Sequence, residues 1–196
     1  MRILLYLAIL MLSACGVETG DSPEGTSPTD TARIEANKEI LERMASPKPS
    51  YRDDKFELEL NMERTTYKKG EPIEASASVT YVGDQPNITV YGAKSFLVFT
   101  IHDGKDFNMD GASTAERAPT EFIQGRTITE PFAKSGGYGE DDPDADYWRA
   151  FYNEKELILP PGRYVLEAIV SFDLSEEVTK RSPYYGSVHT TVTVEN

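Results

Sequence analysis

The sequence predicts an all-β protein in which an antiparallel β-sandwich follows a signal peptide and a flexible tether. From Phe56 to the end of the chain, apolar and polar residues alternate repeatedly with a period of two, which is the pattern of half-buried strands. Helical segments do not alternate with these strands, which argues against a parallel sheet. The chain also opens on an apolar run that ends in its only cysteine, Cys15. These observations divide the chain into residues 1–14, 15–50 and 51–196.

The first segment has the composition of a signal peptide. Arg2 supplies a positive charge, and residues 3–12 are apolar but too few to span a bilayer core. The stretch LSAC, which ends at Cys15, resembles the bacterial lipobox. The resemblance implies that the cysteine thiol receives a diacylglycerol and becomes the N-terminus after cleavage. We therefore expect a lipoprotein that is anchored to the cell membrane on its extracytoplasmic face, with an ordinary secretory signal as the alternative.

Composition restricts the chemistry of the rest of the chain. Because no cysteine follows Cys15, disulfides, thiol catalysis and cysteine-type zinc sites are excluded there. The formal net charge of −13 argues against attraction to nucleic acid or to anionic lipid headgroups. We expect no nucleic-acid partner and interpret the charge as favouring solubility, with a basic partner outside the cell as the alternative.

The predicted linker covers residues 15–50. Residues 16–30 consist mainly of Gly, Ser, Thr, Pro and acidic residues, which cannot bury enough apolar surface to fold. Apolar residues at helical spacing between Ile34 and Met44 predict a short helix over residues 31–45. A helix of this length is marginal in water, so it either packs on the domain or forms only transiently.

The strands of the predicted sandwich follow in order, each an apolar stretch bounded by turn residues. They cover residues 56–62, 72–82, 88–92, 95–104, 126–132, 162–172 and 187–196. In the last of them, Val188, Val192 and Val194 share one face. Strands at this spacing are typical of an antiparallel sandwich.

Residues 105–153 break this rhythm. The segment is long and rich in glycine, aspartate and aromatic residues. A long loop inside a compact domain is usually functional or has a structure of its own. We expect this insertion to carry the surface that distinguishes the protein from a plain sandwich.

Two stretches resemble the bacterial intracellular-proteinase-inhibitor (BsuPI-like) domains, which are immunoglobulin-like sandwiches. The first covers residues 65–101 and begins with a turn at Tyr67, Gly70 and Glu71, and the second is LPPGRYVLEA, which contains Tyr164. The resemblance implies an immunoglobulin-like fold, a tyrosine corner at Tyr164 and proteinase inhibition. The insertion is longer than is usual in that family, and a fold does not carry its function with it.

The densest charge cluster of the insertion is a candidate calcium site. Asp141, Asp142, Asp144 and Asp146 crowd a short stretch, and Ca²⁺ prefers oxygen ligands of this kind. The alternate spacing of the last three matches the start of an EF-hand loop, but Tyr147 stands where that loop requires glycine. Only a looser calcium loop fits, and the alternative is a solvated acidic loop.

The aromatic residues beside these acids form a candidate binding surface, which consists of Tyr138, Tyr147, Trp148 and Tyr152. Aromatic side chains with polar tips serve protein interfaces, and beside carboxylates they can also stack on the apolar faces of sugars. The alternative is that the aromatic residues pin the insertion onto the sheet, above all Trp148 and Phe151.

The sequence gives little indication of an enzyme. His102 and His189 are the only histidines, and with an aspartate they could hold Zn²⁺ if their strands met, although an unrelated pair is the simpler explanation. The sequence contains no nucleophile elbow, P-loop or zinc-protease motif. A glycan hydrolase that uses Asp142 and Asp144 is the third hypothesis after two non-catalytic ones.

The expected function is therefore a non-catalytic, surface-exposed binding module for a protein or glycan of the cell envelope. The alternative, which the family resemblance implies, is a proteinase inhibitor of the BsuPI-like type. An inhibitor needs a rigid loop that fills the cleft of a protease and resists cleavage.

Overall fold

The computed structural model describes residues 28–196 and consists of two facing β-sheets and two helices. The signal peptide, Cys15 and the first part of the tether lie outside the described residues. The helices are α1 (Pro28–Ala45) and α2 (Ala145–Asn153). The strands are β1 (Ser50–Arg52), β2 (Phe56–Asn61), β3 (Thr66–Lys68), β4 (Ser76–Tyr81), β5 (Asn87–Gly92), β6 (Leu97–His102), β7 (Asn108–Met109), β8 (Ala118–Ile123), β9 (Thr127–Pro131), β10 (Gly162–Asp173) and β11 (Pro183–Glu195).

The strand pairing confirms the predicted all-β sandwich. One sheet has the order β1-β2-β4-β9 and is antiparallel throughout. In the other sheet, β10 pairs with β11 along its whole length and with β6 and β5 on its opposite side. β8 extends this sheet beside β5, β7 pairs with β6, and β3 joins β11 in parallel. The neighbours β2-β4-β9 and β6-β10-β11 correspond to the A-B-E and C-F-G strands of an immunoglobulin-like sandwich.

The predicted tyrosine corner is present at the start of β10. The hydroxyl of Tyr164 donates a hydrogen bond of 2.9 Å to the carbonyl oxygen of Pro160. Burial raises the pKa of Tyr164 to about 12, so the hydroxyl keeps its proton and its role as a donor. The bond fixes the entry of the chain into the central strand of the second sheet.

The core forms where the inner faces of the two sheets meet. Phe56 of β2 is completely buried, and its ring contacts rings that belong to the opposite sheet. The centroid of its ring lies 5.1 Å from that of Phe172, 4.8 Å from that of Tyr184 and 5.4 Å from that of Phe122. Edge-to-face and tilted pairs at such distances add to the stability that burial provides.

Residues 105–153 contain more regular structure than the strand predicted over residues 126–132, which is confirmed as β9. The segment contains β7, β8, β9 and α2, and each sheet takes an outer strand from it. Only the part between β9 and β10 stands outside the sheets as a separate, partly helical feature. Burial alternates along β8, but the inward-facing Ala118 and Thr120 are not large apolar residues, so the sequence does not reveal the pattern.

A smaller difference concerns the strand predicted over residues 72–82. β4 begins at Ser76 because the preceding residues pair elsewhere: the backbone N–H of Ile73 donates to the carbonyl oxygen of Leu157 over 2.8 Å. Ile73 is buried by this contact at one end of the sandwich.

The predicted short helix is confirmed, and α1 packs its C-terminal end on the outer face of the second sheet. Met44 is only 7% exposed, and the Thr191 hydroxyl donates to its carbonyl oxygen over 2.7 Å. Arg43 donates to Glu167 of β10 over 2.7 Å. Lys48 then pairs with His189 through two backbone hydrogen bonds, so contacts with the sandwich begin before the domain start predicted at Tyr51.

Across residues 28–196, neither helix has the combination of length and apolar character that crossing a bilayer requires.

Candidate functional site

The acidic stretch of the insertion leads directly into α2, which the sequence interpretation did not include. Asp144 immediately precedes the helix, and Asp146 lies in its first turn. Negative charge at this position is favourable because the N-terminal end of a helix carries a partial positive charge. At least part of the acidic stretch therefore has a local structural explanation.

The acidic residues engage neighbours near them in sequence. A carboxylate oxygen of Asp142 accepts the backbone N–H of Asp144 over 2.9 Å, and Asp146 pairs with Arg149 over 2.5 Å. In the part of the chain that the structure describes, no three His, Cys, Asp or Glu side chains form a group that could hold a metal ion. The calcium site proposed at Asp141, Asp142, Asp144 and Asp146 stays a prediction, now on a loop of separated carboxylates.

The inner side of α2 is fixed to the sandwich through Phe107. The centroid of the Phe107 ring lies 5.1 Å from that of Trp148, 5.6 Å from that of Phe151 and 5.3 Å from that of Tyr164 in β10. Phe151 is only 6% exposed. Phe151 and one side of Trp148 thus pin the insertion onto the sheet, as the structural alternative for these two residues predicts.

Three further aromatic residues lie in α2 or shortly before it, and together with Trp148 we call them the aromatic platform: Tyr138, Tyr147, Trp148 and Tyr152. The rings of Tyr138 and Tyr152 are stacked at 6.3 Å with an interplanar angle of 17°. Tyr147 is 41% exposed, and the Trp148 ring lies 6.1 Å from that of Tyr152. Burial raises the pKa values of Tyr147 and Tyr152, so both hydroxyls remain donors at neutral pH.

Lys134 contacts the C-terminal end of α2. Its ammonium group donates to the carbonyl oxygens of Phe151, Glu154 and Glu156, each over 2.7 Å, and lies 4.3 Å from the centroid of the Phe151 ring. Burial lowers the pKa of Lys134. Carbonyl groups at the C-terminal end of a helix lack helical partners, and a cation there satisfies them.

The two histidines lie on opposite sides of β10, in β6 and β11. The imidazole of His102 lies 3.7 Å from the Asp110 carboxylate, and that of His189 contacts the carbonyl oxygen of Ser46 at 3.2 Å. Burial lowers the pKa of His102. Neither histidine belongs to a metal-binding group within residues 28–196.

Sequence reasoning named the platform residues but missed the helix that orders them. The signal was present, because Tyr147 and Phe151, and likewise Trp148 and Tyr152, are separated by four residues, the spacing of neighbours on one helix face. Lys134 carries no signal of its own, since its partners are backbone carbonyls that only the fold brings together.

Comparison with known proteins identifies no family. No family model matches the chain, and no curated protein matches it. Among solved structures, the chain is similar to the sporulation control protein Spo0M from Bacillus subtilis, with 12% sequence identity and a TM-score of 0.36. The similarity covers 72% of this chain and spans half of the length of Spo0M. The BsuPI-like resemblance stays a prediction.

Proposed function

We propose that the chain is a non-catalytic, lipid-anchored binding module that acts on the extracytoplasmic face of the cell membrane. Its ligand is a protein or a glycan of the cell envelope. The observation that carries the proposal is the aromatic platform, in which Tyr147 is 41% exposed and its neighbours are half-buried.

The platform suits binding because it is held in place before any ligand arrives. Aromatic residues account for a large share of the energy in many interfaces, and rigid side chains lose little freedom on binding. Phe151 packs α2 onto the sandwich, and Lys134 holds the C-terminal end of the helix. A surface that is supported in this way is better suited to recognition than a mobile loop is.

The anchor rests on the sequence LSAC and on the apolar run before it. Several acyl chains on one cysteine give stable attachment, since each buried CH₂ contributes about 0.8 kcal/mol. A Cys15→Ser variant should leave the membrane fraction and should not incorporate an alkyne-labelled fatty acid. Labelling of the variant to the wild-type level would refute lipidation at Cys15.

The binding function is tested with the platform variant Tyr138→Ala/Tyr147→Ala. The protein is immobilised and exposed separately to purified cell-wall polymer and to detergent-extracted envelope proteins. Tyr185→Ala is the matched control because Tyr185 is 64% exposed and lies outside the platform. We expect the wild type and the control to retain one ligand that the platform variant loses at an unchanged melting temperature. Equal retention by all three would contradict the proposal.

A further inference from the structure

A cleft of about 750 Å³ lies between α1 and the hairpin formed by β6 and β7. This volume is in the range of small-molecule sites in proteins, roughly 300–1,000 Å³. α1 contributes Asn37, Ile40 and Arg43 to one wall, and the hairpin contributes His102, Phe107 and Asn108 to the other. Asp144 brings the start of α2 to the rim, so the cleft adjoins the aromatic platform.

The charges around this cleft are nearly balanced. Four acidic residues line it, Glu39, Asp106, Asp110 and Asp144, and three basic ones, Arg33, Arg43 and Lys105. An anion or a cation would therefore meet like charge on one wall or the other. The carboxylates are also too dispersed to hold a metal ion within the described residues. A neutral ligand that needs both donors and acceptors fits this lining best.

The lining supplies donors and acceptors in planar groups. The Asn108 amide donates to Asp110 over 3.4 Å and retains a carbonyl oxygen as an acceptor. His102 stands 3.7 Å from the same carboxylate. Because burial lowers the pKa of His102, its ring is neutral at neutral pH and offers one donor and one acceptor. Hydroxyl groups, which donate and accept at once, match such a set.

Phe107 gives the cleft a rigid aromatic surface. The ring is partly exposed, and Trp148 and Tyr164 support it at centroid distances of 5.1 and 5.3 Å. A flat apolar face among hydrogen-bonding groups complements a sugar ring, which has an apolar C–H face and a hydroxylated edge.

We propose that the cleft between α1 and the β6–β7 hairpin binds a neutral carbohydrate, with a sugar ring on Phe107 and hydroxyl groups on Asn108, Asp106 and His102. The cleft contains none of the platform residues, so the inference goes beyond the proposed function and adds a second site, for a glycan. It also gives α1 a role, since the helix forms one wall of the site.

The test is a calorimetric titration of the full chain, held in a detergent without a sugar headgroup. The probes are four neutral trisaccharides: cellotriose, maltotriose, mannotriose and the β-1,4-linked trimer of N-acetylglucosamine. The fluorescence of Trp148, the only tryptophan, is followed in parallel because its ring contacts Phe107. We expect saturable binding of at least one trisaccharide.

Two variants locate the binding. Asp106→Ala/Asn108→Ala removes one carboxylate and one amide from the exposed rim, and Asp84→Ala/Gln85→Ala removes the same groups from an exposed turn outside the cleft. We expect the rim variant to bind at least about tenfold more weakly, since it loses hydrogen bonds at two side chains, and the control to bind as the wild type does. Phe107→Leu should weaken binding about fivefold through loss of the ring face.

Binding that is equal in the rim variant and the control would overturn the inference, as would the absence of binding to all four sugars. A saturable response to tetralysine in place of the sugars would overturn it in favour of a basic peptide. If no sugar binds but the platform variant still loses an envelope ligand, the carbohydrate assignment fails and the proposed function stands.

Discussion

The two helices within residues 28–196 are held in opposite ways. α1 has 18 residues, yet Ile34 and Leu41 are 57% and 49% exposed, and its described contacts with the strands concentrate at Arg43 and Met44. α2 has nine residues, but Phe151 is buried among other rings. Tertiary contacts, and not length, therefore decide how firmly each helix is attached.

Neither helix is expected to be stable in isolation. Helices shorter than about 12–15 residues are marginal in water, and most helix stability in proteins comes from packing. α2 falls below this limit and depends entirely on its anchors. α1 is long enough to persist in part when a contact at its C-terminal end is lost, so we expect the two helices to respond differently to the removal of a contact.

The largest effect is expected from Phe151→Ala, which empties the space between α2 and the sheet. It should lower the free energy of unfolding by about 3–4 kcal/mol, as is usual for a buried phenylalanine. Urea denaturation followed by circular dichroism measures the loss. Phe151→Leu is the control and should cost less than half as much. A loss below about 1 kcal/mol would mean that α2 is not anchored by its buried face.

The second effect is expected from Lys134→Met, which removes the cation that three carbonyl groups share. Water can solvate Glu154 and Glu156, which are exposed, so the cost should be about 1–2 kcal/mol. Lys155→Met removes an exposed lysine of the same charge and should change stability by less than about 0.5 kcal/mol. Equal stability of both variants would show that the Lys134 contacts contribute nothing.

A smaller effect on global stability is expected from Arg43→Met, which removes the ion-pair partner of Glu167. The Glu167 side chain is only 5% exposed, and its second oxygen is buried without a hydrogen-bond partner. Leaving this carboxylate unpaired is costly, but undocking of α1 lets water reach it and limits the loss of global stability to about 1 kcal/mol.

The local effect of Arg43→Met should be larger and is read from hydrogen exchange. Amide protection over residues 32–45 should fall severalfold, whereas α2 should be unaffected. Lys38→Met is the matched control, since Lys38 is exposed on the same helix. Unchanged protection of α1 would mean that the ion pair does not hold the helix.

The smallest effect is expected from Ca²⁺, which would serve as a third anchor of α2 if the acidic loop bound it. Because Asp142 and Asp146 already have partners in their own segment, we expect no change in melting temperature or Trp148 fluorescence between millimolar calcium and chelator. A saturable rise in melting temperature would instead establish a metal site at this loop.

Whether an element could be predicted depends on how far apart its interacting residues are along the chain. β2, β5, β6, β9, β10 and β11 were predictable because alternation along a strand is local. The tyrosine corner was also predictable, since Tyr164 and Pro160 are four residues apart. β8 was not, because only Phe122 marks its buried face.

The candidate site was predictable in composition but not in geometry. The platform residues follow from their clustering in the sequence, whereas their support depends on Phe107, which is distant in sequence, and on Lys134, whose partners are backbone carbonyl groups. The cleft depends on where α1 docks, and a partner pair such as Arg43 and Glu167, 124 residues apart, leaves no trace in a single sequence.

The attachment of α1 at its C-terminal end also affects the length of chain between the proposed anchor and the sandwich. As a helix, its 18 residues span about 27 Å, and the same residues fully extended span about 60 Å. With the anchor proposed at Cys15, release of the Arg43 contact and unwinding of α1 would let the sandwich move about 30 Å further from the membrane. The helix is then a stored length of tether, which tension on the bound ligand can draw out without unfolding a single strand.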